Sequence, residues 1–125
     1  MNKIIVLLLA FGAIASSKTI SIGSGRQFQN LSQAAQHAQP GDTLLFYPGI
    51  YSGGQSVANL RGSESNEITI IVKEENSVIV RGGSAAWQLT DAAFVRISGF
   101  IFEHQTINGV NCDDGGDYST PAHHI

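Results

Sequence analysis

The chain has 125 residues, of which 14% are charged, with a net charge of −3 and four histidines. That length holds at most one ordinary domain, and the absence of a basic patch excludes nucleic acid as a partner class. The single cysteine, Cys112, excludes an internal disulfide framework, and no cysteine-protease pattern surrounds it.

At the N-terminus, Lys3 supplies one positive side chain before the uncharged apolar run Ile4 to Ile14. The run has the length of a signal-peptide core and is short for a membrane span. Ala13-Ile14-Ala15 then gives the small-x-small pattern of a signal peptidase site. Residues 1–15 are therefore expected to be a cleaved signal peptide, with cleavage after Ser17 as the second choice. Residues 16–125 are expected to form the exported chain (secreted, periplasmic or cell-surface), with no membrane association after cleavage. No cysteine follows the run, which excludes a lipid-anchored lipoprotein.

Thr19 to Ile22 alternates and is ended by Gly23, which predicts a first short strand. Phe28, Leu31, Ala34, Ala35 and Ala38 then recur at helical spacing, so Gln27 to Ala38 is expected to be a short amphipathic helix. Pro40-Gly41 stops it. Thr43 to Tyr47 reads as a strand, Pro48-Gly49 as a corner, Ile50-Tyr51 as a second strand, and residues 52–66 as a loop. Ile68 to Val72 is a near-continuous apolar strand of the kind that suits a parallel sheet. Ser77 to Arg81, Trp87 to Thr90, Phe94 to Ile97 and Phe100 to Phe102 follow as short strands between glycine corners. Asn108 to Pro121 reads as a polar loop, and His123-His124-Ile125 as the opening of one more strand.

Leu44, Ile68, Val95 and His124 each stand near the head of a strand after a loop, at intervals of 24, 27 and 29 residues. A recurring interval of this size with sharp corners inside it predicts a solenoid of about three coils. A β-sandwich is the competing reading, but it gives no reason for the opening helix. It also expects hairpin turns such as Asn-Gly, and Asn108-Gly109 is the only Asn-Gly in the chain. In the solenoid, the helix would cover the exposed end of the first coil. Leu44, Phe46, Ile68, Ile70, Val72, Val78, Val80, Phe94 or Val95, Ile97, Ile101 and Phe102 would fill the core.

The run F-x-x-L-x-x-A-x-x-A-x-P-G-D-T-L-x-x-x-P-G-x-Y, from Phe28 to Tyr51, resembles the opening of right-handed parallel β-helix proteins of the pectate-lyase-like superfamily. Asn66 to Val72 and Phe94 to Phe102 resemble coils of its polysaccharide lyases, the chondroitinase B and alginate lyase group. The likeness runs from about Lys18 to Ile125. It implies an all-β solenoid with an N-terminal capping α-helix, and for the parent protein an acidic uronate polymer cleaved by β-elimination. It also implies Ca²⁺ or basic side chains in the parent's active site, with Lys or Arg as the base. The same opening occurs on binding proteins without enzymatic activity.

The residues themselves assign no catalytic, substrate-binding or metal-ligating position. Gly23-Ser24-Gly25 lacks the third glycine of a dinucleotide loop. Asn111 and Asp113-Asp114-Gly115-Gly116-Asp117 form the most site-like stretch, yet they do not match a calcium loop and read as a solvated turn. His123 and His124 on a strand would face opposite sides and could not share a metal. Arg61, Lys73, Arg81 and Arg96 are scattered over different coils. The expectation is the N-terminal part of an exported carbohydrate-active β-helix protein, a polysaccharide lyase truncated before its catalytic coils and inactive by itself. The alternative is a non-catalytic β-helix for binding or adhesion, and a small complete binding domain is a third reading.

Overall fold

The computed structural model describes residues 16–116 and 119–125. The expected signal peptide lies outside them. Ten short strands and one helix follow along the described chain: β1 (Thr19–Ile22), α1 (Leu31–Ala35), β2 (Thr43–Phe46), β3 (Gly49–Ser52), β4 (Gln55–Ala58), β5 (Ile68–Val72), β6 (Val78–Arg81), β7 (Ala85–Thr90), β8 (Val95–Ser98), β9 (Ile101–Glu103) and β10 (Asn108–Asp113). They assemble into three sheets, β1-β2-β5-β8, β3-β6-β9 and β4-β7-β10. Every pairing is parallel. The chain visits the sheets in rotation, so each circuit adds one strand to each sheet. This is an all-β parallel solenoid of about four turns, one more than the sequence intervals suggested. The extra rung is β1, which pairs Ile20 with Leu44 and Ile22 with Phe46.

Alternation puts one face of each strand inside. Ile20, Leu44 and Ile70 stack with Ile97 on the first sheet, and Ile68 stacks on Val95. Leu44 thus meets Ile70, two residues beyond the Ile68 used to measure the interval. Val78 and Val80 line the second sheet from inside, and Trp87 and Leu89 the third. Trp87 is 1% exposed and packs edge-on to Phe100 and Phe102, at ring separations of 4.8 and 5.1 Å, with Phe46 tilted against it at 5.7 Å.

Four expectations need correction. The helix is five residues long, because the Phe28 amide is drawn to β1, donating to Ser21 O at 3.1 Å. Asn30 then becomes the N-cap, its Oδ1 accepting from the Gln33 amide at 2.9 Å. Leu31 and Ala34 are buried, and Phe28, Ala35 and Ala38 pack against the core from the rim. Second, the loop expected over residues 52–66 contains β4, and the polar loop from Asn108 begins with β10. Third, Ile101, expected in the core, faces outward with Phe102 inward, whereas of Phe94 and Val95 it is Val95 that is buried. Fourth, His123 makes a single bridge to Ala93 and starts no strand.

Two local contacts fix the first turn. Gly53 sits against the next coil so closely that a Cβ there would meet Gly82 O at 2.0 Å, so only glycine fits. Asp42, in the Pro-Gly-Asp turn, is 1% exposed. Its Oδ1 accepts from the Lys18 amide at 3.0 Å, and its Oδ2 accepts from Lys18 Nζ at 2.5 Å and the Gln39 amide at 2.8 Å. The turn is thereby tied to the start of β1.

Burial opposes ionisation of Asp42, but the ammonium and amide of Lys18 and the amide of Gln39 outweigh it and hold the carboxyl below its usual 3.8. A depressed folded value means that the carboxylate stabilises the fold above pH 3.8 and that this contribution is lost as pH falls through the folded value. Thermal melting against pH is expected to show that acid loss in the parent and to show less of it in Asp42→Asn. Asp42→Ala is expected to cost about 2–3 kcal/mol at neutral pH in urea titration, by orphaning the Gln39 and Lys18 amides.

Candidate functional site

With the interior filled, chemistry must sit on the outer faces and corners. The corner that follows the third sheet carries a polar cluster. Arg61, Ala93 and His123 stack there on successive rungs through parallel bridges. Arg61 Nη1 donates to Asp91 O at 2.8 Å, and its Nη2 lies 3.3 Å from His123 Nε2. A guanidinium can only donate, so His123 Nε2 accepts and its proton resides on Nδ1. His123 Nδ1 lies 2.6 Å from His124 Nδ1 and donates to it, which leaves the His124 proton on Nε2. The two rings meet because His124 has left-handed backbone (φ 54°), so the strand alternation assumed from sequence fails there. Phe94, one rung below, has the same conformation (φ 52°) and stacks on His124 at 4.7 Å. Asp91 Oδ1 is buried without a partner among the described residues. This relay positions a corner; Arg61 occupies the face from which His123 Nε2 could bind a metal.

The acidic loop does not converge on an ion. Asp113 Oδ1 accepts from the Gly115 amide at 3.0 Å, and Asp114 Oδ1 from the Gly116 amide at 2.9 Å, two consecutive turns closed by their own carboxylates. Asp117 lies outside the described residues. Asp113 Oδ2 also accepts from Gln88 Nε2 at 2.8 Å, and Asn111 Nδ2 donates to Gln88 Oε1 at 2.8 Å. On the outer face of the third sheet, Ser56, Gln88 and Asn111 stand in register, as do Ala58, Thr90 and Asp113. The amides satisfy one another and form a ladder that locks rungs together. Sequence reasoning missed it, because the residues are far apart in the chain and become neighbours only through the register.

The basic residues are mostly committed. Arg81 Nε pairs with Glu103 Oε1 at 2.5 Å and Arg96 Nε with Glu67 Oε2 at 3.2 Å, both exposed. Lys73 is exposed with no ion pair among the described residues. Cys112 lies on the last rung, in register with Leu89. Partial burial pushes its thiol up, and the Asp113 carboxylate pushes in the same direction, so it is a poor thiolate. Gly23-Ser24-Gly25 is a tight turn, with the Arg26 amide donating to Gly23 O at 3.0 Å, and Arg26 lies over the Tyr47 ring at 3.5 Å. The remaining concavity of note is a groove of about 490 Å³ between this turn, the cap and β3.

No family model matches the chain, and no curated protein matches it. Among solved structures, the chain superposes on a PL6 family alginate lyase, AlyGC, with a TM-score of 0.56 and 16% identity over 86% of its residues. An arginine-to-alanine mutant of that lyase gives a TM-score of 0.54, again at 16% identity. The chain shares the parallel β-helix fold of these proteins and spans 14% of their length.

Nitrogen chemical shifts of the imidazoles are expected to report His123 as the Nδ1–H tautomer and His124 as the Nε2–H tautomer at neutral pH. Arg61→Met is expected to abolish that preference and to cost about 1–2 kcal/mol in urea titration followed by the fluorescence of Trp87.

Proposed function

We propose that the chain is the opening segment of an exported polysaccharide lyase that cleaves an acidic uronate polymer by β-elimination, with the chemistry in coils beyond the four described here. The observation that carries this reading is the shared fold with an alginate lyase over nearly the whole described chain. Elimination needs a base for the proton beside the carboxylate, a cation or donors to neutralise that carboxylate, and an acid for the leaving oxygen. Among the described residues the outer faces of these rungs offer no such grouping: Arg81 and Arg96 are held by carboxylates, Arg61 is held by His123 and Asp91 O, and Lys73 is exposed without an ion pair. The Ile4 to Ile14 run supports export, with Ser16 as the first mature residue.

The reading without catalysis, a β-helix that only binds glycans, is favoured by the same committed cations, so activity must decide. The protein from its complete reading frame is expected to release unsaturated uronate ends from alginate, followed by their ultraviolet absorbance, whereas residues 16–125 alone are expected to release none. A full-length protein inactive on alginate and other polyuronates would sink the lyase reading. Mass spectrometry of the exported product is expected to give an N-terminus at Ser16.

A further inference from the structure

The register of the second sheet places Ile50 beside Ile79 and Ile79 beside Ile101. All three point away from the core, since Val78, Val80 and Phe102 take the inward positions. Ile50 is 63% exposed and Ile101 36%. The result is an apolar ladder up the outside of three consecutive rungs. Rungs repeat at about 4.8 Å, a spacing comparable to the length of one pyranose ring. Beside the ladder on the same face run Ser52, Arg81 and Glu103, and the Arg81–Glu103 ion pair leaves that row without net charge.

The foot of the ladder opens into the groove of about 490 Å³, within the size range of ligand sites. Ile50 is one wall; Ser24, Gln29, Asn30, Ser52 and Gln55 supply polar groups, and no charged side chain lines it. Two of the amides are oriented by the fold. Asn30 Oδ1 is taken by the Gln33 amide at 2.9 Å and Gln55 Oε1 by the Ser32 amide at 3.3 Å. Their NH₂ groups have no partner among the described residues, so the groove presents fixed donors together with the hydroxyls of Ser24 and Ser52.

We propose that the Ile50–Ile79–Ile101 ladder and the groove at its foot bind an uncharged saccharide chain running along the solenoid axis. The chain would lay its C–H faces on the isoleucines, and its hydroxyl and ring oxygens would accept from Asn30 and Gln55. A polyuronate is disfavoured here, because the one cation on the face is already neutralised. A second copy of the protein is disfavoured by area: three isoleucines fall well short of the roughly 800 Å² per partner of a stable dimer. This site is independent of the proposed elimination chemistry, and a protein without lyase activity could still carry it.

Affinity electrophoresis of the intact protein in native gels cast with laminarin, galactomannan or alginate tests it. Retardation by at least one of the two neutral polysaccharides is expected, unchanged between low and high salt. Ile50→Asp and Ser52→Trp are expected to weaken it about tenfold or more while leaving the melting temperature near that of the parent, because both side chains are exposed. Three results would overturn the proposal. One is no retardation in either neutral gel, or salt-sensitive retardation in alginate alone. Another is undiminished binding by Ile50→Asp. The last is a dimer in sedimentation that Ile50→Asp converts to monomer, which would make a second copy the occupant.

Discussion

In this protein each inward side chain lies directly above another, and the rest of the structure follows from that constraint. Parallel ladders fix the register, so Ile20, Leu44, Ile70 and Ile97 must share one column, and Val57, Leu89 and Cys112 another. Interiors are close-packed, so a bulky member of a column is offset by smaller ones on the neighbouring rungs: Phe46 stands between Ile22 and Val72, and Trp87 between Gln55 and Val110. Corners obey the same rule. Asn59 and Asp91, each one residue past a third-sheet strand, both take left-handed backbone, and so do Phe94 and His124 on successive rungs. The stack has to begin somewhere, and α1 with Phe28, Leu31 and Ala34 closes that end.

Outward positions stack under the same register but without the packing requirement, so they record what each face does. The third sheet carries a self-satisfied amide ladder ending on Asp113, and its hydrogen bonds hold rungs together where no core reaches. The second sheet carries isoleucines, which gain nothing from facing water. The first sheet carries the Arg96–Glu67 pair, open to solvent and worth little to stability. Three faces of one solenoid thus differ in chemistry although their backbones are alike. The fold shared with an alginate lyase therefore does not by itself assign a role to any one of these faces.

Much of the fold was legible because its apolar positions are dense. β1, β2, β5 and β6 each place two buried apolar side chains within four or five residues, and the Pro-Gly corners frame β2. β4 was not legible, since Val57 is its only buried residue and the chain around it is Gly, Ser, Gln and Asn. β10 was hidden for the same reason: it borrows its partner from β7, and its polar residues belong to the ladder. Phe100 to Phe102 read as one apolar run, and only the register separates outward Ile101 from inward Phe102. The polar clusters were least legible of all. Arg61 reaches His123 across two rungs, a neighbourhood set by the corner geometry and invisible to any local window.

That last point bears on how a solenoid acquires a site. A side chain on one rung meets others roughly one coil away in sequence, so a row of two or three equivalent positions is the smallest functional unit such a fold offers. The Arg61 corner uses its row to fix two imidazoles, and Asp113 uses another to join amides. In both, the hydrogen bonds that join the rungs close within the protein. The groove beside Ile50 differs. Asn30 and Gln55 give their oxygens to the cap helix, and their NH₂ groups have no partner among the described residues, because the cap interrupts the repeat at the foot of the stack. A broken ladder thus leaves oriented donors exposed, and the end of the stack that the cap protects is also where the protein has polar capacity to spare.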